Sequence, residues 1–275
     1  MKLHLGSVIV SACLLLTTGF QISQQCCLTQ AQKDILNTLS IVQVDDCVGG
    51  PGHKTLRVSG ANFQVVNGIG TTESTNGLGN VIVGYNETPS ICEGSHNVIV
   101  GSANSYTSFG GIVTGTNNTI ENDYAAVISG TSNSATGLYA AILGGNAGDA
   151  SGQNSVIAGG QLNQATALRS AVVCGFQSVA SNEGATVVGG KHNQATGAFS
   201  TAIGGGQGTP SGNVASGDFS TCVGGRANTA TASFSCVSGG WSNSADGGFS
   251  TVSGGFGRSV SGDSDWAAGS LFEDN

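Results

Sequence analysis

Residues 154–160 read Asn-Ser-Val-Ile-Ala-Gly-Gly, and residues 199–205 read Phe-Ser-Thr-Ala-Ile-Gly-Gly. In both, a few β-branched or small apolar residues run into a glycine pair. Working outward, the second glycine recurs as Gly84, Gly101, Gly115, Gly130, Gly145, Gly160, Gly175, Gly190, Gly205, Gly225, Gly240, Gly255 and Gly269. Eight of the twelve intervals are fifteen residues, two are fourteen, one is seventeen and one is twenty. A fixed period in this range marks a chain built by stacking one supersecondary unit. It predicts an all-β parallel β-solenoid of about thirteen 15-residue coils. At about 4.8 Å per coil this is a rod on the order of 60 Å long.

Composition agrees. Of 275 residues 46 are Gly but only 3 are Pro, which excludes collagen. Small residues dominate, as thin coils require. Net charge is −8 with eight basic residues, which argues against a nucleic-acid partner. Residues 1–25 read as a secretory leader, with Lys2 ahead of an apolar run from Leu5 to Phe20. Val10-Ser11-Ala12-Cys13 has the form of a lipoprotein box, but the apolar run passes on through Leu16, which weighs against lipidation at Cys13. No later segment is long and apolar enough for a membrane span. Secretion would allow disulfides among Cys26, Cys27, Cys47 and Cys92, whose pairing the sequence leaves open. Residues 26–76 form an N-terminal region: a short amphipathic helix over 28–40, a break at Gly49-Gly50-Pro51-Gly52, and strand-like alternation over 55–70. The repeats occupy 77–275.

Aligned on the glycine, the thirteen units show their columns. Three residues before it all are apolar, from Val81 and Val98 through Val127, Ile142 and Cys222 to Trp266. Two residues before it stand, among others, Ile82, Ile99, Val113, Ile128, Leu143, Val173, Val188, Ile203 and Val223. Neighbouring strand residues point to opposite faces, so one column fills the coil and the other is left outside. An apolar stripe of that length exceeds what a soluble monomer exposes, which predicts self-association. The columns alone do not say which of the two is core and which is interface. Aromatics recur six residues before the glycine, from Phe109 to Phe249, and Asn recurs three after it, where it would tolerate left-handed geometry and hydrogen-bond up the stack.

These columns, with Ala195-Thr196-Gly197 ahead of Phe199, resemble the head repeats of YadA-like trimeric autotransporter adhesins. The resemblance covers about residues 77–270, some 70% of the chain. It implies a left-handed parallel β-roll, a homotrimer joined through an apolar strand face, and a non-enzymatic surface protein. Its partners would be extracellular matrix, a glycan or another cell surface. Family members continue into a coiled-coil stalk and a membrane anchor. Residues 266–275 show neither, so a secreted or surface-associated head is expected.

Catalytic constellations are absent from the sequence. His4, His53, His96 and His192 are scattered, and glycine runs such as 204–208 lack a strand-loop-helix setting. No cofactor or metal is expected; residues 144–150 imitate a calcium nonapeptide once only. Trp241, just after Gly240, is the best single candidate for a ligand contact, and Trp266 reads as a cap in the last apolar column. The insertions at 87–93 and 207–211 are the other places a ligand could meet the rod. Two competing readings are a monomeric solenoid binding ice or polysaccharide, for which Thr186, Thr201, Thr221 and Thr251 share a column interrupted by Ala126, Ala141 and Ala171, and a solenoid polysaccharide lyase, for which the repeats supply no carboxylate cluster.

Overall fold

A computed structural model describes residues 29–44, 53–206 and 211–269. The leader over 1–25, Cys13, Cys26, Cys27, Cys47 and most of the second insertion lie outside these residues. The chain divides into two compact units, Met1–Gln64 and Val65–Asn275.

In the first unit a helix, α1 (Gln30–Thr38), starts from a reciprocal cap. Thr29 Oγ1 accepts the Gln32 N–H at 3.3 Å, and Gln32 Oε1 accepts the Thr29 N–H at 2.8 Å. Leu39 and Ser40, expected to end the helix, instead open strand β1 (Leu39–Val44). It pairs antiparallel with β2 (His53–Val58), Leu39 opposite Val58. The alternation expected over 55–70 yields strand only as far as Val58; residues 59–70 carry none.

The second unit is a parallel β-solenoid. Each coil gives a short strand to each of two parallel sheets. One sheet has thirteen strands, from Val81–Val83 to Trp266–Ala267; the other has eleven, from Ser105–Tyr106 to Ser259–Val260. That makes about twelve turns, one fewer than the glycine count suggests. Residues 65–76, placed by sequence in the N-terminal region, pack on the first coil. Ser95 Oγ accepts the Asn76 N–H, and the His96 ring accepts the Asn67 N–H through Nε2 while its Nδ1 bonds Thr72 O.

The core is thin and complementary. From the thirteen-stranded sheet each coil turns in one β-branched or small residue: Ile99, Val113, Val127, Ile142, Ile157, Val172, Val187, Ala202, Cys222, Val237 and Val252. From the facing sheet comes alanine in eight successive coils, Ala135 to Ala245. Large opposite small keeps the sheets close with no room for a bulky pair. Burial pushes the Cys222 thiol up to about 12, so it behaves as a small hydrophobe.

Glycine alignment misplaces the phase at both ends. Ile112 pairs with Ala126 and Val113 with Val127, a step of fourteen, whereas Thr116 bridges Thr131, a step of fifteen. The fourth coil therefore carries one extra residue between strand and corner. A one-residue shift exchanges the two faces. In the first coils the residue two before the glycine points inward, and from Val127 onward the residue three before it does. The fourteen-residue last interval repeats the effect: Trp266 pairs with outward Thr251, and Ala267 takes the inward column opposite Val252. Trp266 is exposed, and its Nε1 donates to Ser253 Oγ, so it lies on the outer face rather than plugging the core.

The asparagine column is a ladder, but not of the expected kind. The left-handed residue is the one before each Asn: Ala103, Asn117, Ser132, Leu162, His192, Ala227 and Ser242 all have φ near +55°. The Asn side chains point inward and bond the backbone of the next coil. Asn228 Oδ1 accepts the Asn243 N–H at 3.0 Å while its Nδ2 donates to Gly224 O and Gly240 O. Gly148 and Ser178 interrupt the column.

A second buried column holds alanine or serine. Ser170 and Ser235 donate to the carbonyls three residues back, on Ala167 and Ala232. The hydroxyls of Ser155, Ser200, Ser220 and Ser250 have no partner among the described residues, and there the residue three back is glycine. A buried unpaired hydroxyl costs about 1–3 kcal/mol, and Ala125, Ala140 and Ala185 already occupy this column. Ser220→Ala is thus expected to stabilise the protein by about 1 kcal/mol, read as a higher urea midpoint. A lower midpoint would show that the hydroxyl has a partner after all.

Candidate interaction surfaces

Two surfaces stand out, and both follow from the coil geometry. The first is the outer face of the thirteen-stranded sheet. Of the residues expected to form an interface or core column, Ile99 and Val113 are core, fully buried. Ile82 pairs with Ile99 in the same inward column and is 50% exposed on the edge strand that begins the sheet; the others lie outside. Ile128 is 44% exposed, Leu143 52% and Val173 43%; Val188, Ile203 and Val223 are half-buried. Across each strand the outward neighbour is Val98, Ile112, Ala126, Ala141, Val156 or Ala171, then Thr186, Thr201 and Thr221. Apart from Thr114, the face is therefore apolar on both outward columns in the N-terminal half, and it carries a threonine row beyond Ala171. Cys236 stands between Thr221 and Thr251 in that row.

Along one edge of this face run the recurring aromatics. Phe199, Phe219, Phe234 and Phe249 stack with ring centroids 5.3, 4.9 and 4.9 Å apart, nearly parallel. Tyr124 and Tyr139 form a shorter stack at 5.6 Å. All six sit at φ between +54° and +60°, the third position of a tight turn. Left-handed backbone costs about 1–3 kcal/mol at a non-glycine residue. Ring stacking returns about 0.5–1.5 kcal/mol per pair, and each coil adds a ladder hydrogen bond, as from Phe219 N–H to Ala198 O at 2.8 Å. Within the stacks, ring faces are spent on each other and edges face solvent.

The second surface is the corner just after the glycine. There Thr116, Thr131, Asn146, Gln161, Phe176 and Lys191 bridge coil to coil, and so do Arg226, Trp241 and Phe256. Between Lys191 and Arg226, where the twenty-residue interval falls, this row of bridges is broken among the described residues. A cleft of about 420 Å3 opens there, lined by Gly205, Gly206, Gly225 and Arg226. Trp241 is exposed, as the sequence suggested, but its faces are occupied: the Arg226 guanidinium lies 5.4 Å from its ring centre, and the Phe256 ring packs 4.7 Å away at a 56° tilt. Lys191, Arg226 and Phe256 were not singled out by sequence. The residue type in this column changes from coil to coil, so no recurrence draws attention to it.

The first insertion is structural. Tyr106 donates its N–H to Ile91 O, Glu93 N–H bonds Tyr106 O, and Cys92 bridges Tyr106, extending the eleven-stranded sheet by one rung. Of the second insertion only Ser211 is described, beside Gly212, which bridges Gly205 antiparallel. His192 packs edge-on against Phe176, with ring centres 5.6 Å apart. Among the described residues no group of three or more His, Cys, Asp or Glu is placed to hold a metal ion, and no helix is long and apolar enough to cross a membrane.

Neither a family model nor a curated protein matches the chain.

Proposed function

We propose that the chain is a non-enzymatic, secreted or cell-surface rod that self-associates through the outer face of its thirteen-stranded sheet and acts as an adhesin-like or extracellular structural module. The observation that carries this reading is the apolar stripe through Val83, Ile128, Leu143 and Val173, each at least 43% exposed. Such a stripe is the kind of patch that another protein surface covers. A second copy offers the same stripe at the same coil spacing, so two rods side by side match rung for rung. The resemblance of the repeats to YadA-like heads makes three the expected number and the left-handed roll the expected form. The apolar leader supports export, and extracellular matrix, glycans or another cell are the partners to test.

Light scattering on the purified protein should give three times the monomer mass. Leu143→Glu combined with Val173→Glu places two charges on the stripe without touching the core, and should give a folded monomer. Monomeric wild-type protein would overturn self-association.

A further inference from the structure

We infer that His96 is an acid-sensitive latch: its neutral ring holds the loop 65–74 over the start of the roll, and protonation of the ring releases it. Val81 pairs with Val98, Val98 with Ile112 and Ile112 with Ala126. By that register Gly79, His96 and Gly110 occupy the turn position that the aromatic stacks fill from Tyr124 onward. His96 shares their left-handed backbone, with φ +56°. Glycine stands on either side of it in the column, so no ring stacks on the imidazole, and both nitrogens turn to the loop. The Asn67 N–H donates to Nε2 at 3.2 Å, and Nδ1 lies 3.1 Å from Thr72 O. These partners fix the state of the ring. A backbone N–H only donates, so Nε2 carries the lone pair; a carbonyl only accepts, so Nδ1 carries the proton. The docked loop therefore takes the neutral imidazole. A second proton, on Nε2, sets donor against donor and strands the N–H of Asn67, a residue only 5% exposed.

The loop has no substitute for this contact. Among the described residues, His96 makes the only hydrogen bonds to residues 65–74 from any residue beyond Asn76. The other bonds of Asn67 stay within the segment: Ile69 N–H donates to its Oδ1, its Nδ2 donates to Ser74 Oγ, and Asn76 Nδ2 donates to its carbonyl. The base of the loop is anchored by groups that do not titrate. Asn76 exchanges two bonds with Ser95 Oγ, and Asn80 Nδ2 donates to Gly94 O. Release therefore frees the tip and leaves the coil beneath it in place. That tip covers Gly79, where a methyl group would lie 2.7 Å from Asn67 N and 3.0 Å from His96 Cδ2. Its departure bares backbone just ahead of Val81–Val83, the strand at the edge of the sheet, and an open strand edge is a place where another chain can pair. The charged groups on the elements that meet at the ring are Glu73 in the loop and Glu93 ahead of Gly94. Both are exposed, and neither pairs with the ring among the described residues. Residues 108–111 of the next coil carry no charge. Imidazole changes charge between about pH 8 and pH 5. Because docking takes the neutral form, it is complete above that range and is lost as the pH falls through it. The inference does not depend on self-association, since every group named belongs to one chain.

The test is hydrogen exchange of the intact protein above and below the imidazole range, at about pH 8 and about pH 5, corrected for the pH dependence of intrinsic exchange. At the lower pH the Asn67 and Ile69 amides should lose protection about tenfold or more. The Val81 and Val98 amides, bonded to Asn97 O and Gly111 O, should keep theirs. His96→Gln supplies an acceptor and a donor that do not titrate, and should abolish the difference between the two conditions. His96→Ala should leave the loop unprotected in both, with the circular dichroism of the roll unchanged. Equal protection of the wild-type loop in both conditions, a loss at low pH that persists in His96→Gln, or full protection in His96→Ala would each overturn the latch.

Discussion

Gly160→Ala is expected to destabilise the protein by about 3 kcal/mol or more, while Gly159→Ala, one residue away, stays within about 0.5 kcal/mol of wild type. At Gly160 φ is +94°, a region L-residues rarely adopt. A methyl group there would lie far inside contact distance of Gly175 O and 2.8 Å from Gly175 N, both backbone atoms of the next coil that cannot swing away. It would also press on the Asn163 amide, itself bonded to Gly159 O and Gly175 O. At Gly159 the nearest atom is Cys174 Sγ at 3.8 Å, ordinary contact. Urea unfolding of the two variants, side by side, decides the matter. Equal midpoints would mean that the glycine period records something other than close approach between coils.

Asn228→Ala is expected to cost about 3 kcal/mol. The side chain is fully buried and makes three hydrogen bonds, two as donor and one as acceptor. Alanine leaves the Asn243 N–H without its acceptor inside a dry coil, and the desolvation penalty of a stranded donor exceeds the net worth of the bond itself. Asn228→Asp should be worse at neutral pH, since it loses both donors and buries a charge facing two carbonyls. The check is again the urea midpoint, supported by hydrogen exchange at Asn243, whose amide should lose protection first. Full stability in Asn228→Ala would show that the sheets alone hold the coils.

The parts of the fold that recur with constant spacing were readable directly. Val127 to Val252 repeat wherever the step is fifteen residues, and their inward direction follows once the strand is placed. What escaped was phase. Ile99 and Val113 belong to the core although they occupy the column that is exposed elsewhere. One residue more or less between strand and corner moves the glycine relative to the pleat, and a glycine-anchored alignment cannot register it. The asparagines were visible as a column, but their neighbours at positive φ vary in type, so the left-handed position was credited to the wrong residue. For the candidate sites, the apolar stripe was legible because it depends on hydrophobic recurrence. The corner row was not, because Lys191, Arg226, Trp241 and Phe256 share a place and no chemistry.

The extra residue between Val127 and the corner at Gly130 has a consequence for how such a rod can change length. From Gly130 to Gly205 every step is fifteen residues. Loss or duplication of a whole coil in that stretch leaves each side chain facing as before, with the ladder, the core and the outer face continuous. At the boundary between the third and fourth coils the inward residue changes from two to three before the glycine, while the core stays continuous through Val113 and Val127. The rod can therefore lengthen or shorten between Gly130 and Gly205 by fifteen residues at a time, with interchangeable segments laid one on the next.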